Sequence, residues 1–419
     1  MGRDLRFIHS ADLHLDSPFI HTSHLPEQIV EQLRKSTFEA FDRLIEAAIY
    51  EKVDFILIVG DLFNEASRSL KAQIHLRNGF RKLEKESIQV FVSHGNHDFM
   101  NGTKYPIDYP ENVVVFKDES VQSVPFYKNG RHAANILGFS YVQQRVTDNK
   151  VHEFKRTADE VIHIAMLHGS LFSHAGEHEV YAPFLMEELF RQFMDYWALG
   201  HIHARHFLSS DPPVLYPGNI QGRSRKEEGV KGAYLVDFSH NGWEFTFLPL
   251  QSILFEETII DCRGLEKPQD LETLFLHTKE ELQSLHSKVL ATLYLKGDSG
   301  NLERWKTEGL IDSWVEEANR EEELENSWVY FMNVKVIDLP SYDEEKLRKS
   351  RHISGEFLRG IEELTDTEWE EWLASLYKHK QFYPYLYPLT EEDKAELIEE
   401  VKQSTLSRLL KTGGSDDES

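Results

Sequence analysis

Through the first 250 residues, short apolar runs alternate with longer segments whose apolar side chains recur every three or four positions. Leu5–Ser10, Asp54–Val59, Ile88–Ser93, Val113–Phe116, Asn135–Ser140, Val161–Leu167 and Tyr196–Leu199 read as strands. Several are apolar at nearly every residue, the pattern of strands covered on both faces. Helical periodicity fills Pro26–Tyr50, Arg68–Glu86 and Phe184–Phe193. Val214–Tyr216, Ala233–Phe238 and Trp243–Leu248 continue in strands, the last two joined across the turn dipeptide Asn241-Gly242. Such an alternation predicts an α/β layered domain over residues 1–250.

The pattern then changes. Phe255–Ile260, Gln269–Leu285, Lys288–Lys296, Leu302–Glu317 and Trp328–Ile337 read as strand, helix, strand, helix, strand, a small α+β domain over 251–340. Beyond Pro340 the chain turns helical and acidic over 341–411, with Phe357, Leu358, Ile361 and Leu364 forming an apolar stripe. An aromatic break at Gln381–Pro388 carries Phe382, Tyr383, Tyr385 and Tyr387. The polar residues 412–419 form an expected disordered tail.

Composition narrows the function classes. Cys262 is the only cysteine, which excludes an intramolecular disulfide and a thiolate-rich metal site. No apolar run reaches the roughly 18 residues needed to cross a bilayer, so no membrane association is expected. The N-terminus enters an acid- and histidine-bearing strand without a signal-peptide apolar segment, and the expected location is the cytoplasm. A formal net charge of −25 should repel nucleic acid unless something local reverses the field. The 21 histidines suggest what that is, since imidazole is the commonest ligand for transition-type metals.

The informative fact is where acids and histidines fall. Asp12-Leu-His14 follows the first strand, Gly60-Asp61 the second, and Gly95-Asn96-His97-Asp98 the third. His168-Gly169 and Gly200-His201-Ile-His203 follow two later ones. In an open α/β sheet the carboxyl ends of strands converge on one crevice, so five such clusters can meet there. Any one of them arises easily by chance, and a lone histidine after a strand is more often a hydrogen-bonded core residue than a ligand. Five in order, each at a strand end, form a specific signal. His9, His94 and His163 lie within or beside strands and read as packed or hydrogen-bonded core residues; His174 and His178 read as solvated loop residues.

Taken together, these motifs resemble the calcineurin-like metallophosphoesterase superfamily across about residues 5–220. The flanks HSADLHLDSPF, YWALGHIHARH, YPGNIQGRSRKEEGVKGAYLVDF and ATLYLKGDSGNLERW are similar to the SbcD-like DNA repair exonuclease group. The resemblance implies an α/β layered sandwich of two mixed sheets flanked by helices. It also implies that 251–340 is a cap positioning DNA, and 341–411 a segment docking on a large SbcC-like coiled-coil ATPase. Asp12, His14 and His203 would hold one divalent ion, Asn96, His168 and His201 a second, and Asp61 would bridge both. His97 would stabilise the transition state or protonate the leaving oxygen, and Asp98 would orient His97. Asn64 departs from the His or Asp of some nuclease relatives. The oxygen and nitrogen donor set suits Mn, Fe, Zn or Co, and the resemblance favours Mn2+.

Two divalent ions against two carboxylates leave local positive charge that draws in a phosphodiester despite the acidic exterior. Arg205, Arg223, Arg225 and Lys226 are the basic candidates for holding DNA phosphates. The expectation is a hydrolase, namely a Mn-dependent DNA phosphodiesterase with 3′→5′ exonuclease and some endonuclease activity. It would act in DNA repair with an ATPase partner, and as a homodimer by family resemblance. The chain has no G-x-x-x-x-G-K-[ST] of its own. Two rivals are a two-metal hydrolase of a small phosphodiester or phosphomonoester, and a non-enzymatic assembly subunit that merely retains the site.

Overall fold

In the computed structural model, the described residues are 4–19, 25–64, 68–102, 107–157, 161–172, 181–320, 324–338, 344–350 and 352–362, with isolated positions from 369 to 409. His174, His178, the aromatic run 382–387 and the tail 412–419 lie outside them. The chain forms two compact units, one of Met1–Glu256 with Leu285–Leu290 and Glu323–Trp328. The other comprises Glu257–Ser284, Ala291–Glu322 and Val329–Ser419.

The first unit is a two-sheet sandwich. One sheet holds β1 (Leu5–Ala11), β2 (Phe55–Val59), β3 (Gln89–Ser93), β4 (Val113–Val115), β11 (Gly232–Ser239) and β12 (Gly242–Pro249) in the order β12-β11-β1-β2-β3-β4. β1 to β4 run parallel, β11 runs antiparallel to β1, and β12 antiparallel to β11. The other holds β5 (Gln122–Lys128), β6 (Arg131–Gly138), β7 (Ile162–His168), β8 (Tyr196–Gly200), β9 (His206–Ser210) and β10 (Pro213–Tyr216) in the order β5-β6-β7-β8-β10-β9. β6, β7, β8 and β10 are parallel there.

Side chains alternate across each strand, and this sorts the core into layers. Phe7, Phe55, Leu57, Val59 and Phe91 face Ile136, Ile164, Met166, Tyr196 and Ala198 in the middle layer between the sheets. Their neighbours Ile8, Ile56, Ile58, Val90 and Val92 pack outward on Phe41, Leu44, Ile45, Leu76 and Phe80. Those come from α1 (Glu27–Tyr50) and α2 (Leu70–Lys85), the latter capped by the Ser69 hydroxyl accepting from Ala72 N–H; the short α3 (Met186–Arg191) precedes β8. β2 is buried at all five positions and ends at Val59, which leads through Gly60 into Asp61.

The second unit carries a three-stranded sheet, β13 (Leu254–Asp261), β14 (Lys288–Gly297) and β15 (Trp328–Asp338), with α4 (Asp270–Leu285). The helix expected over Leu302–Glu317 is two helices, α5 (Asn301–Thr307) and α6 (Leu310–Arg320). Gly309, at φ +73°, breaks them, the left-handed position that glycine adopts at helix ends. Then come α7 (Glu344–Lys349) and α8 (Ile353–Glu362), where Leu358 and Ile361 are buried and Ile353 is exposed. Among the described residues, no helix is long and apolar enough to cross a membrane.

Candidate metal centre

Five parallel strand ends, three from one sheet and two from the other, deliver the expected ligands to one place. Asp12 and His14 follow β1, Asp61 follows β2, Asn96 follows β3, His168 ends β7, and His201 and His203 follow β8. Turning off the strands so sharply puts Asp12, His14, Asp61 and His201 at positive φ, between 43° and 98°. Non-glycine residues rarely adopt such angles, and they cluster where a site is held against strain.

Two groups of donor atoms result. In the first, His14 Nε2 and His203 Nε2 stand 3.1 Å apart beside Asp12. In the second, Asn96 Oδ1 lies 2.9 Å from His168 Nε2 and 3.3 Å from His201 Nδ1. Asp61 Oδ2 lies between them, 3.8 Å from His14 Nε2 and 3.5 Å from His168 Nε2. That oxygen is buried and without a hydrogen-bond partner among the described residues, as is His14 Nδ1. An unpaired buried carboxylate oxygen is costly, and a shared cation is the species these donors fit.

The histidines are aimed by their other ring nitrogens. His168 Nδ1 donates to Val59 O at 3.1 Å, which leaves Nε2 with its lone pair inward. His203 Nδ1 meets Glu227 Oε1 at 2.8 Å. Asp12 accepts His201 N–H at 3.1 Å on both oxygens. Small residues make room: a Cβ on Gly95 would stand 2.3 Å from Asp61 Oδ1 and 2.6 Å from His168 Nε2, and one on Gly60 2.0 Å from His168 Nδ1.

Electrostatically the site wants positive charge other than protons. Burial, then the neighbouring Asp61, raises Asp12 well above the carboxylate range, and burial followed by Asp98 raises Asp61 to about 6. Burial lowers His14, His168 (to about 4) and His201, so the imidazoles stay neutral and able to ligate.

His97 stands at the rim, half-buried, its ring 5.3 Å from that of His14 and its backbone N–H donating to Asp61 Oδ1 at 2.9 Å. Burial lowers its pKa, opposed by the charge of Asp61. Asp98 does not orient it. Its two oxygens take His94 Nδ1 (2.8 Å), Leu62 N–H (3.0 Å) and Gly95 N–H (2.7 Å), because the loop folds back on itself. Burial alone would raise Asp98, but His94 and Arg68 outweigh it and hold the carboxyl low. Asp98 therefore fixes the loop carrying Asn96 and His97, and His94, buried and hydrogen-bonded to it, is the core histidine expected. His9 and His163 are buried and hydrogen-bonded.

Of the basic candidates, Arg225 and Lys226 are exposed, and Arg205 lies over the Phe247 ring at 4.1 Å. Arg223 is turned inward. Its Nη1 donates to Ser17 Oγ (3.2 Å) and Asn64 Oδ1 (3.3 Å), and its Nη2 to Glu227 Oε1 (3.3 Å). The sequence drew attention to the bases of RSRKEE and hid Glu227, an acid in a charged loop that reads as solvated. Its only sequence signal is its place in the same segment as the inward-facing Arg223. Tyr181, whose ring lies 5.0 Å from that of His201, was equally hidden.

Residues 5–205 match the calcineurin-like phosphoesterase family. The chain is 37% identical over 413 residues to the uncharacterized metallophosphoesterase YhaO of Bacillus subtilis, covering 98% of this chain and 99% of that protein. It is 27% identical to the DNA double-strand break repair protein Mre11 of Methanocaldococcus jannaschii, over 62% of this chain and 68% of that one. Mre11 of Sulfurisphaera tokodaii is 30% identical over 49% of this chain and 54% of its own.

Proposed function

Because this chain belongs to the calcineurin-like phosphoesterase family and is a metal-dependent phosphoesterase, we propose that its substrate is DNA and that it hydrolyses phosphodiester bonds with Mn2+. In this reading Asp12, His14 and His203 hold one ion, Asn96, His168 and His201 hold the other, and Asp61 serves both. The observation that carries it is the unpaired Asp61 Oδ2 between His14 and His168.

Two divalent ions bound there supply Lewis acidity to a phosphoryl oxygen and lower the pKa of water. The protein's own groups do the rest. His97, at the rim, donates a hydrogen bond or proton to the leaving oxygen, and an arriving phosphate raises its depressed pKa. Arg223, held beside Ser17 and Asn64, offers a fixed cation for a phosphate oxygen. Arg205, Arg225 and Lys226 contribute exposed positive charge to a DNA strand.

DNA as substrate is supported by similarity to proteins named for double-strand break repair. The 3′→5′ exonuclease polarity with some endonuclease activity, the SbcC-like ATPase docked on 341–411, the cap role of 251–340, homodimerisation and a cytoplasmic location complete the proposal and rest on family resemblance.

The test is Mn-dependent degradation of labelled linear duplex and single strand, with His97→Ala, Asp61→Asn and p-nitrophenyl phosphoesters in parallel. DNA degradation lost in both variants supports the reading. Turnover of the small phosphoesters without DNA cleavage overturns the substrate, and silence on every substrate even with the ATPase partner overturns the activity.

A further inference from the structure

His203 is the ligand candidate whose second nitrogen meets a side chain rather than the backbone. Glu227 Oε1 lies 2.8 Å from His203 Nδ1, and a carboxylate only accepts, so Nδ1 carries the proton. Nε2 is then bare and directed at His14 Nε2, 3.1 Å away. Glu227 is itself held on its other oxygen by Asn219 Nδ2 (2.7 Å) and the Arg223 backbone N–H (2.8 Å), with its side chain 16% exposed.

The Arg223 guanidinium complicates this. Its Nη2 lies 3.3 Å from Glu227 Oε1 but also 3.2 Å from His203 Nδ1. Arginine has no acceptor, so with Nδ1 protonated both groups donate to the same carboxylate oxygen. Without that oxygen, Nη2 is placed to donate into Nδ1. The imidazole would then move its proton to Nε2 and lose the lone pair facing His14.

We propose that Glu227 is a positioning residue that sets the tautomer of His203, keeping Nε2 free for an ion and screening Nδ1 from Arg223. Arg223 thereby has two consequences, offering charge to a phosphate and threatening the ligand beside it, and Glu227 removes the second. Carboxylates behind metal-ligating histidines typically account for about 10–100-fold in metal affinity. This inference rests on the proposed two-ion site.

Calorimetric titration of the metal-stripped full chain with Mn2+ tests both and separates them. Wild type should take two ions, and Glu227→Ala should weaken one of them about 10–100-fold while the other stays within about threefold. Glu227→Gln, whose amide oxygen still accepts from Nδ1–H, should keep most of the lost affinity. Removing the threat should also help, so Arg223→Gln added to Glu227→Ala should recover part of it. Nitrogen-15 spectra of labelled histidine should show the His203 proton on Nδ1 in wild type and Glu227→Gln, and on Nε2 in Glu227→Ala. A wild type that binds fewer than two ions overturns the metal reading. Two ions bound equally well by Glu227→Ala, or a His203 proton still on Nδ1 there, overturn the role of Glu227 alone.

Discussion

Asp61 Oδ2 and His168 Nε2 lie 3.5 Å apart, one from each sheet of the sandwich. Neither strand could bring them together alone: β2 supplies the carboxylate and β7 the imidazole. His168 Nδ1 is spent on Val59 O, the last residue of the strand that precedes Asp61. The proposed ligand of one sheet is thus oriented by the backbone that presents the proposed ligand of the other.

Replacing Asp61 with Asn removes the shared anionic oxygen. Asp61→Asn should lower affinity for both ions by more than about 100-fold, beyond the effect of an outer partner. Equilibrium dialysis with metal analysis reads this directly. A variant that still loads two ions would show that Asp61 bridges nothing.

The His97 ring makes no hydrogen bond to a proposed ligand among the described residues; only its backbone N–H reaches one, Asp61 Oδ1. His97→Ala should therefore cost about 10²–10⁴-fold in turnover with two ions still bound. Single-turnover kinetics beside a metal count check it. Loss of metal together with activity would place His97 among the ligands instead.

Asp98 is buried and satisfies His94, Leu62 and Gly95. Asp98→Ala strands a buried pair and should destabilise the metal-stripped chain by about 3–5 kcal/mol, measured by urea unfolding. Unchanged stability with lost turnover would return Asp98 to the role of orienting His97.

A methyl at Gly95 has nowhere to go. Gly95→Ala should abolish tight ion binding while circular dichroism still reports the sandwich. Normal ion binding would mean that Asp61 and His168 yield more readily than their burial suggests.

His9 gives a pH signature. Tyr196 O–H donates to Nδ1 and Nε2–H donates to Leu199 O, an arrangement that only the neutral ring satisfies. Burial lowers its pKa from 6.5 to about 3. The unfolded chain binds the proton first as pH falls, so this contribution is complete above about 6.5 and is lost on acidification toward about 3. Stability of the metal-stripped protein should fall more steeply in wild type than in His9→Gln, by up to about 1.4 kcal/mol per pH unit. Parallel slopes would exclude His9 as the source.

What the sequence made legible was the part tied to buried parallel strands. FILIV and VIHIAML announce themselves, and the acid or histidine after each follows from strand ends converging. The edges were not legible. β5 contains Pro125 and alternates exposed with half-buried residues, and β9 is HFLSS, two strands whose sequences look like loops. Asp98 was paired with its neighbour His97 on proximity in the chain, whereas the turn at Gly95 returns it to His94, four residues back. Glu227 sits among charges, and only the fold turns it inward.

The two donor groups draw on residues 12 through 203 and on both sheets. Coordination by these donors would therefore cross-link the two sheets of the sandwich, as a staple would, and only the assembled form offers the full set. Ions that bind the native form alone stabilise it by about 2.7 kcal/mol at a hundred times their dissociation constant. Occupancy of the proposed centre would consequently be a quality check on folding, since a chain whose sheets have not docked could not assemble the donors.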